Sequence, residues 1–230
     1  MIGIIFISLI FMIVGMIVQF NLKSKFRQYS EVPLSSGLSG KEVAEKMLRD
    51  NGIYDIEVIS VNGFLSDHYN PSKKTINLSP DVFAGRNIAA AAVAAHECGH
   101  AVQHATAYSM LTLISALVPV VQISTNLAQW VILIGLGAFT FGGGNQTVLL
   151  IGIILFAVST LFSVITLPVE LDASARALKW LRSAGITSVT QQEKAKDALK
   201  WAALTYVVAA IASLAILFQY IMIYSNGRRR

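Results

Sequence analysis

From Ile2 to Phe20 the sequence carries no charged side chain, and about 19 such residues are enough to cross a bilayer as a helix. Three further apolar runs impose the same constraint: Met110 to Phe141, Thr147 to Leu167 and Ala202 to Tyr224. Hydrocarbon offers no partner for backbone N–H and C=O groups, so each run is expected to be helical. Composition points the same way. Apolar residues make up 54% of the 230-residue chain and charged residues 13%, about half the charged share of a soluble domain. The first run has no basic segment before it and no small-residue cleavage site after it, so it reads as an uncleaved anchor rather than a signal peptide. The run from Met110 to Phe141 is too long for one simple span. Pro119 and the polar residues Gln122, Ser124, Thr125, Asn126 and Gln129 interrupt it. It is expected as a bent helix, or as a short interfacial helix followed by a span, with its polar residues facing protein rather than lipid.

The rest of the chain is polar and ordinary. Ser39-Gly40-Lys41-Glu42 reads as a capping box opening a short helix that Gly52 ends. Ile56 to Val61 alternates as a half-buried strand does. A second strand is expected at Thr75 to Leu78, after the turn Asn70-Pro71-Ser72. Asn87 to Ala107 is alanine-rich and expected as a helix. Gly142-Gly143-Gly144-Asn145 forms the turn between the second and third spans, and Glu170 to Lys200 is a mostly helical polar excursion broken near Gly185. The expected layout is 1–21 as an anchor, 22–109 outside the membrane, 110–168 as two spans, 169–201 outside, and 202–230 as a last span with a basic tail.

Four spans place residues 22–109 and 168–201 on one side. That side carries 15 of the 18 Lys and Arg residues, so the positive-inside rule assigns it to the cytoplasm. The other three basic residues, Arg228 to Arg230, then lie outside, against the rule. The net charge of +5 is not a nucleic-acid signature, because this terminal cluster lacks interleaved aromatics and reads as a membrane flank. The single cysteine excludes an intramolecular disulfide and a cysteine-built metal site.

The chemistry lies in His96-Glu97-Cys98-Gly99-His100. Residues four apart on a helix share a face, so both imidazoles can reach one zinc ion. Glu97 sits beside the first ligand, where it can take the proton of a zinc-activated water as that water attacks a carbonyl. A catalytic zinc needs a third protein ligand and one open position. His104 lies two turns from His96, about 12 Å along the axis, and is expected to orient or support rather than ligate. Cys98 points away from the metal face as a small packed residue. Acidic residues downstream are the remaining source. Glu170 leads the stretch Leu167 to Arg176, as a ligand or as an N-terminal helix residue favoured by the macrodipole. His68, Tyr69, Tyr108 and Arg176 are candidate oxyanion donors. The strand ending at Leu78 could pair as an edge with an extended substrate.

Asp67-His68-Tyr69-Asn70-Pro71, Ile76-Asn77-Leu78-Ser79, Ala94 to His104, and Leu167-Pro168-Val169-Glu170 with Ala173, Ser174 and Arg176 resemble the YugP-type bacterial membrane zinc peptidases. The resemblance spans nearly the whole chain. It implies Zn2+ as cofactor, Glu170 as third ligand in a gluzincin-like site, and a bacterial plasma-membrane location. More distantly, the layout is similar to the heat-shock membrane peptidases and prenyl-protein proteases. Those families carry an Asp four residues after their glutamate ligand, where this chain has Ser174. Ser174 and Asp172 are therefore the candidates for orienting a ligand histidine.

The expected fold is mainly α: a multi-pass membrane protein of about four transmembrane helices with a small α+β, zincin-like extramembrane unit. The expected activity is a membrane-embedded metalloendopeptidase acting on peptides or proteins, membrane proteins among them. The rival is a non-catalytic, zinc-stabilised membrane adaptor that binds partner proteins. Glu97 separates the two, since a purely structural zinc site has no use for a base.

Overall fold

The computed structural model describes residues 2–137 and 144–227. Phe141, the Gly142-Gly143 half of the expected turn and the Arg228 to Arg230 cluster lie outside the described residues. In chain order the elements are α1 (Ile2–Ser30), α2 (Gly40–Asp50), β1 (Glu57–Ser60), β2 (His68–Asn70), β3 (Thr75–Leu78), α3 (Pro80–Ala84), α4 (Ile88–Ala105), α5 (Ser109–Gly135), α6 (Gln146–Ser183) and α7 (Val189–Gly227). Four of these helices are long and apolar enough to cross a membrane: α1 from Gly3 onward, α5, α6 and α7.

The second apolar run is one continuous 27-residue helix with Pro119 inside it; of the two forms expected for it, the short interfacial helix followed by a span falls away. One expectation about these helices is corrected. The third run does not stop at Leu167. α6 continues through Pro168 to Ser183, so Glu170 lies inside a long helix and the helix-N-terminus reading of it falls away. Proline removes one intrahelical hydrogen bond, but apolar helices tolerate it where neighbouring groups re-satisfy the backbone. The break near Gly185 is present, with that residue at φ +66°.

The chain divides into two compact units: residues 18–112 with 168–204, and residues 1–17 with 113–167 and 205–230.

The first of these holds a three-stranded sheet of order β1-β3-β2, with β1 parallel and β2 antiparallel to β3. All four residues of β3 are buried. The expected edge role of the strand ending at Leu78 is therefore wrong, because β3 is paired on both sides. His68 and Tyr69, assigned to no strand from sequence, form β2 with Asn70 at an edge of the sheet. The capping box is made as expected: Ser39 N–H donates to Glu42 at 2.7 Å and Glu42 N–H donates to Ser39 Oγ at 3.3 Å. Asn87 caps α4 by accepting from Ala90 N–H at 2.9 Å. The alanine face Ala89–Ala92, Ala94 and Ala95 is wholly buried, together with Val43, Met47, Ile76 and Leu78. Small side chains let α4 approach its neighbours closely. Gly99 carries this furthest, since a Cβ there would lie 2.5 Å from Ala173 O. Trp180 Nε1 donates to Asp50 at 3.0 Å and Tyr29 donates to Asp197 at 2.6 Å.

The other unit is built from apolar helix. Ile132, Leu149 and Ile153 are buried, with Phe156, Leu217 and Tyr220 packed against them. Phe156 and Tyr220 meet edge to face at 5.5 Å, a favoured aromatic geometry. Ile5, Phe6, Ile123, Trp130, Ile154 and Phe218 point outward. In water such a surface would drive association. In lipid it is the ordinary solvent-facing surface.

Candidate metal centre

α4 presents His96 and His100 one turn apart, and α6 brings Glu170 to them. Glu170 Oε2 lies 3.3 Å from His96 Nε2 and 3.7 Å from His100 Nε2, and the three ligand atoms all fall within 4.8 Å of one another. Ligands on a tetrahedral zinc, with bonds of about 2.0–2.2 Å, stand about 3.3 Å apart. Two imidazole nitrogens and one carboxylate oxygen at this spacing fit such an ion, and the donor set suits zinc. The three side chains are 12 to 14% exposed, which leaves a path to the site. Burial acts to lower the pKa of His100, but the Glu170 and Glu97 carboxylates outweigh it and raise the value to about 9. The field at this ring is therefore strongly negative and attracts cations.

The hydrogen bonds behind the ligands fix which nitrogen faces inward. Gln103, fully buried, directs its amide NH2 to Val169 O and to Asp172 Oδ2, both at 2.8 Å. Its Oε1 is thereby turned toward His100 Nδ1 at 3.0 Å. An amide oxygen only accepts, so His100 Nδ1 carries a proton, and Nε2 is the nitrogen left to meet a cation that replaces the proton it shares with Glu170. His96 Nδ1 pairs with Ser174 Oγ at 3.1 Å. Asp172 is held in turn by Arg176 Nε at 2.6 Å, and the Arg176 guanidinium lies over the Tyr108 ring at 5.8 Å. Gln103 thus links His100 to the turn of α6 that carries Glu170.

Glu97 is 8% exposed. Its Oε2 accepts from Tyr69 N–H at 3.0 Å, which leaves Oε1 as the oxygen available for chemistry. Burial raises its pKa, with the two histidines pulling the other way. Tyr69 OH pairs with His104 Nδ1 at 3.1 Å. His104 therefore contacts Tyr69 and is not among the three clustered ligand atoms. His68 is exposed on β2, with Nδ1 2.8 Å from Ser66 O. Cys98 is buried with its thiol 3.6 Å from Ala44 O, and burial pushes its pKa up.

The structure thus gathers His96, His100, Glu170, Ser174, Asp172 and Arg176 in one connected group and joins Glu97 to Tyr69. Sequence reasoning missed Gln103. The signal was its spacing three residues after His100 on one helix face.

Comparison with known proteins identifies a family. Residues 4–225 match the family model described as "Putative neutral zinc metallopeptidase". The chain is also 43% identical over 210 residues to the "Putative membrane protease YugP" of Bacillus subtilis (strain 168), covering 91% of each chain. No solved structure matches. A family match over nearly the full length, with a relative at this identity, places the chain in the neutral zinc metallopeptidase family to which that model belongs.

Proposed function

We propose that the chain is a membrane-embedded metalloendopeptidase of gluzincin type. In this reading His96, His100 and Glu170 hold a zinc ion and Glu97 acts as general base. The observation that carries it is the convergence of two Nε2 atoms and one carboxylate oxygen beside a buried carboxylate whose second oxygen is unengaged by Tyr69. A bound zinc ion supplies Lewis acidity, acidifying water and polarising a carbonyl. Glu97 takes a proton from the attacking water as its oxygen bonds to the peptide carbon, then delivers that proton to the nitrogen as the C–N bond breaks. Tyr69 N–H holds the carboxylate in register. Gln103 and Ser174 hold the ligand rings, with Asp172 and Arg176 bracing Gln103. Of the oxyanion candidates, Tyr69 is the one that already touches Glu97, through its backbone N–H, which favours its hydroxyl with His104 beside it.

In this reading the spans lie within residues 2–21, 110–168 and 202–227. Residues 22–109 and 169–201 lie on the cytoplasmic side of a bacterial plasma membrane, the side favoured by the excess of basic residues there. The substrates are peptides or proteins, with membrane proteins favoured by the setting. The test is cleavage of unfolded and membrane-protein substrates by zinc-loaded wild type and by Glu97→Gln. Activity in the wild type that Glu97→Gln abolishes supports the reading. A zinc-loaded wild type that cleaves nothing across a broad panel contradicts it and returns the adaptor reading.

A further inference from the structure

The unit formed by residues 1–17, 113–167 and 205–230 contains a polar feature that peptide hydrolysis does not use. On α5, Gln122, Asn126 and Gln129 follow one another at spacings of four and three residues, so they form a single stripe along the helix. All three are exposed, and none has a hydrogen-bond partner among the described residues. Their neighbour Thr125 does, pairing with Ser159 Oγ at 2.8 Å. The stripe borders a cavity of about 530 Å³ to which Ile5, Ser8, Thr125, Gln129, Phe156 and Ser159 contribute. Beside the stripe, α5 turns outward apolar side chains of the kind expected against lipid, among them Val120, Ile123, Leu127 and Trp130. Three primary amides in line on a membrane helix are costly against hydrocarbon and normally meet protein.

The chemistry of the stripe selects its partner. A primary amide both donates and accepts, so a row of them is complementary to an identical row. An Asn in such a seam sets register and oligomer state in paired helices, and Asn and Gln join helices across membranes. The stripe carries no charge and would not single out an ionic partner. A twofold axis lets the same residues serve both sides of the contact. We infer that the Gln122-Asn126-Gln129 face of α5 is an interface between two copies of this chain in the membrane, closed by amide-to-amide hydrogen bonds.

Cysteine cross-linking in native membranes tests this. Cys98 is the only cysteine and is buried, so added cysteines report alone. Disulfide-linked dimer is expected for Asn126→Cys and Gln129→Cys, and not for Ile123→Cys or Leu127→Cys on the adjoining face. The triple variant Gln122→Leu, Asn126→Leu, Gln129→Leu is expected to weaken self-association in bilayers of defined lipid by about tenfold or more, measured by energy transfer between labelled copies. Circular dichroism of the same sample reports whether it folds, and the cross-linking arm does not depend on that variant. Equal cross-linking at all four positions overturns the inference. So does a wild type that stays monomeric, a folded triple variant that associates unchanged, or Asn126→Cys joined only to a different protein.

Discussion

Polar side chains behave in opposite ways in the two units. Around the metal cluster each polar group removed from water meets another. Gln103 places one bond on His100 and two on the backbone and side chains of α6, and Asp172 is shared between Gln103 and Arg176. No buried side-chain nitrogen or oxygen among the described residues lacks a partner. On α5, by contrast, three amides stand in a row without one. The contrast teaches that the same residue types carry different information in different solvents. A polar residue beside water is informative when it is buried and networked. In an apolar helix it is informative by being there at all.

The largest expected effect separates ligation from catalysis inside the first unit. Glu97→Gln should retain metal while losing hydrolysis by about 10²–10⁴-fold, the range of a positioned acid–base group; loss of metal in parallel would merge roles held distinct here. Next comes Gln103→Ala, which removes the acceptor that holds His100 and should weaken zinc affinity by about 10–100-fold in a chelator competition. If affinity is unchanged, the hydrogen-bond chain behind His100 is decoration. A pair of glycine substitutions then compares the units directly. Gly99→Ala drives a methyl into the Ala173 backbone and should cost about 1–3 kcal/mol of stability by overpacking. At Gly15 a Cβ meets nothing within 4 Å, so Gly15→Ala should be neutral or gain up to about 1 kcal/mol from helix propensity. Smallest is the cap at Ser39, where alanine should cost about 1 kcal/mol. The Ser39 N–H bond, with Arg86 adding to it, holds the Glu42 carboxyl below its ordinary value. The contribution of the Glu42 carboxylate is thus present above the ordinary carboxylate range and fades as pH falls through it. The stability difference between wild type and Glu42→Gln in thermal unfolding should be largest near neutral pH and shrink in acid.

What the sequence made legible follows from the range of the interactions involved. Helices written in long apolar runs, the capping box and the His96–His100 spacing are local, and each appears in the structure. The course of α6 through Pro168 was not legible, because proline next to a polar stretch usually ends a helix in water. The order β1-β3-β2 was also hidden. Three residues, His68 to Asn70, are too short for periodicity to show, and without them β3 passes for an edge. Glu170 came within reach mainly through family resemblance, since no local rule links a carboxylate to histidines 70 residues earlier. Gln103 shows the limit most plainly. Its neighbour His100 is local, but its role depends on Val169 and Asp172, which only the folded chain brings to it.

The central claim, that His96, His100 and Glu170 form one metal site served by Glu97, is tested most directly by elemental analysis of detergent-purified wild type, Glu170→Ala and Glu97→Gln reconstituted side by side. The account predicts about one zinc per chain in wild type and in Glu97→Gln, and most of it lost in Glu170→Ala. Zinc retained at full stoichiometry and affinity in Glu170→Ala, or no zinc in the wild type, would contradict it.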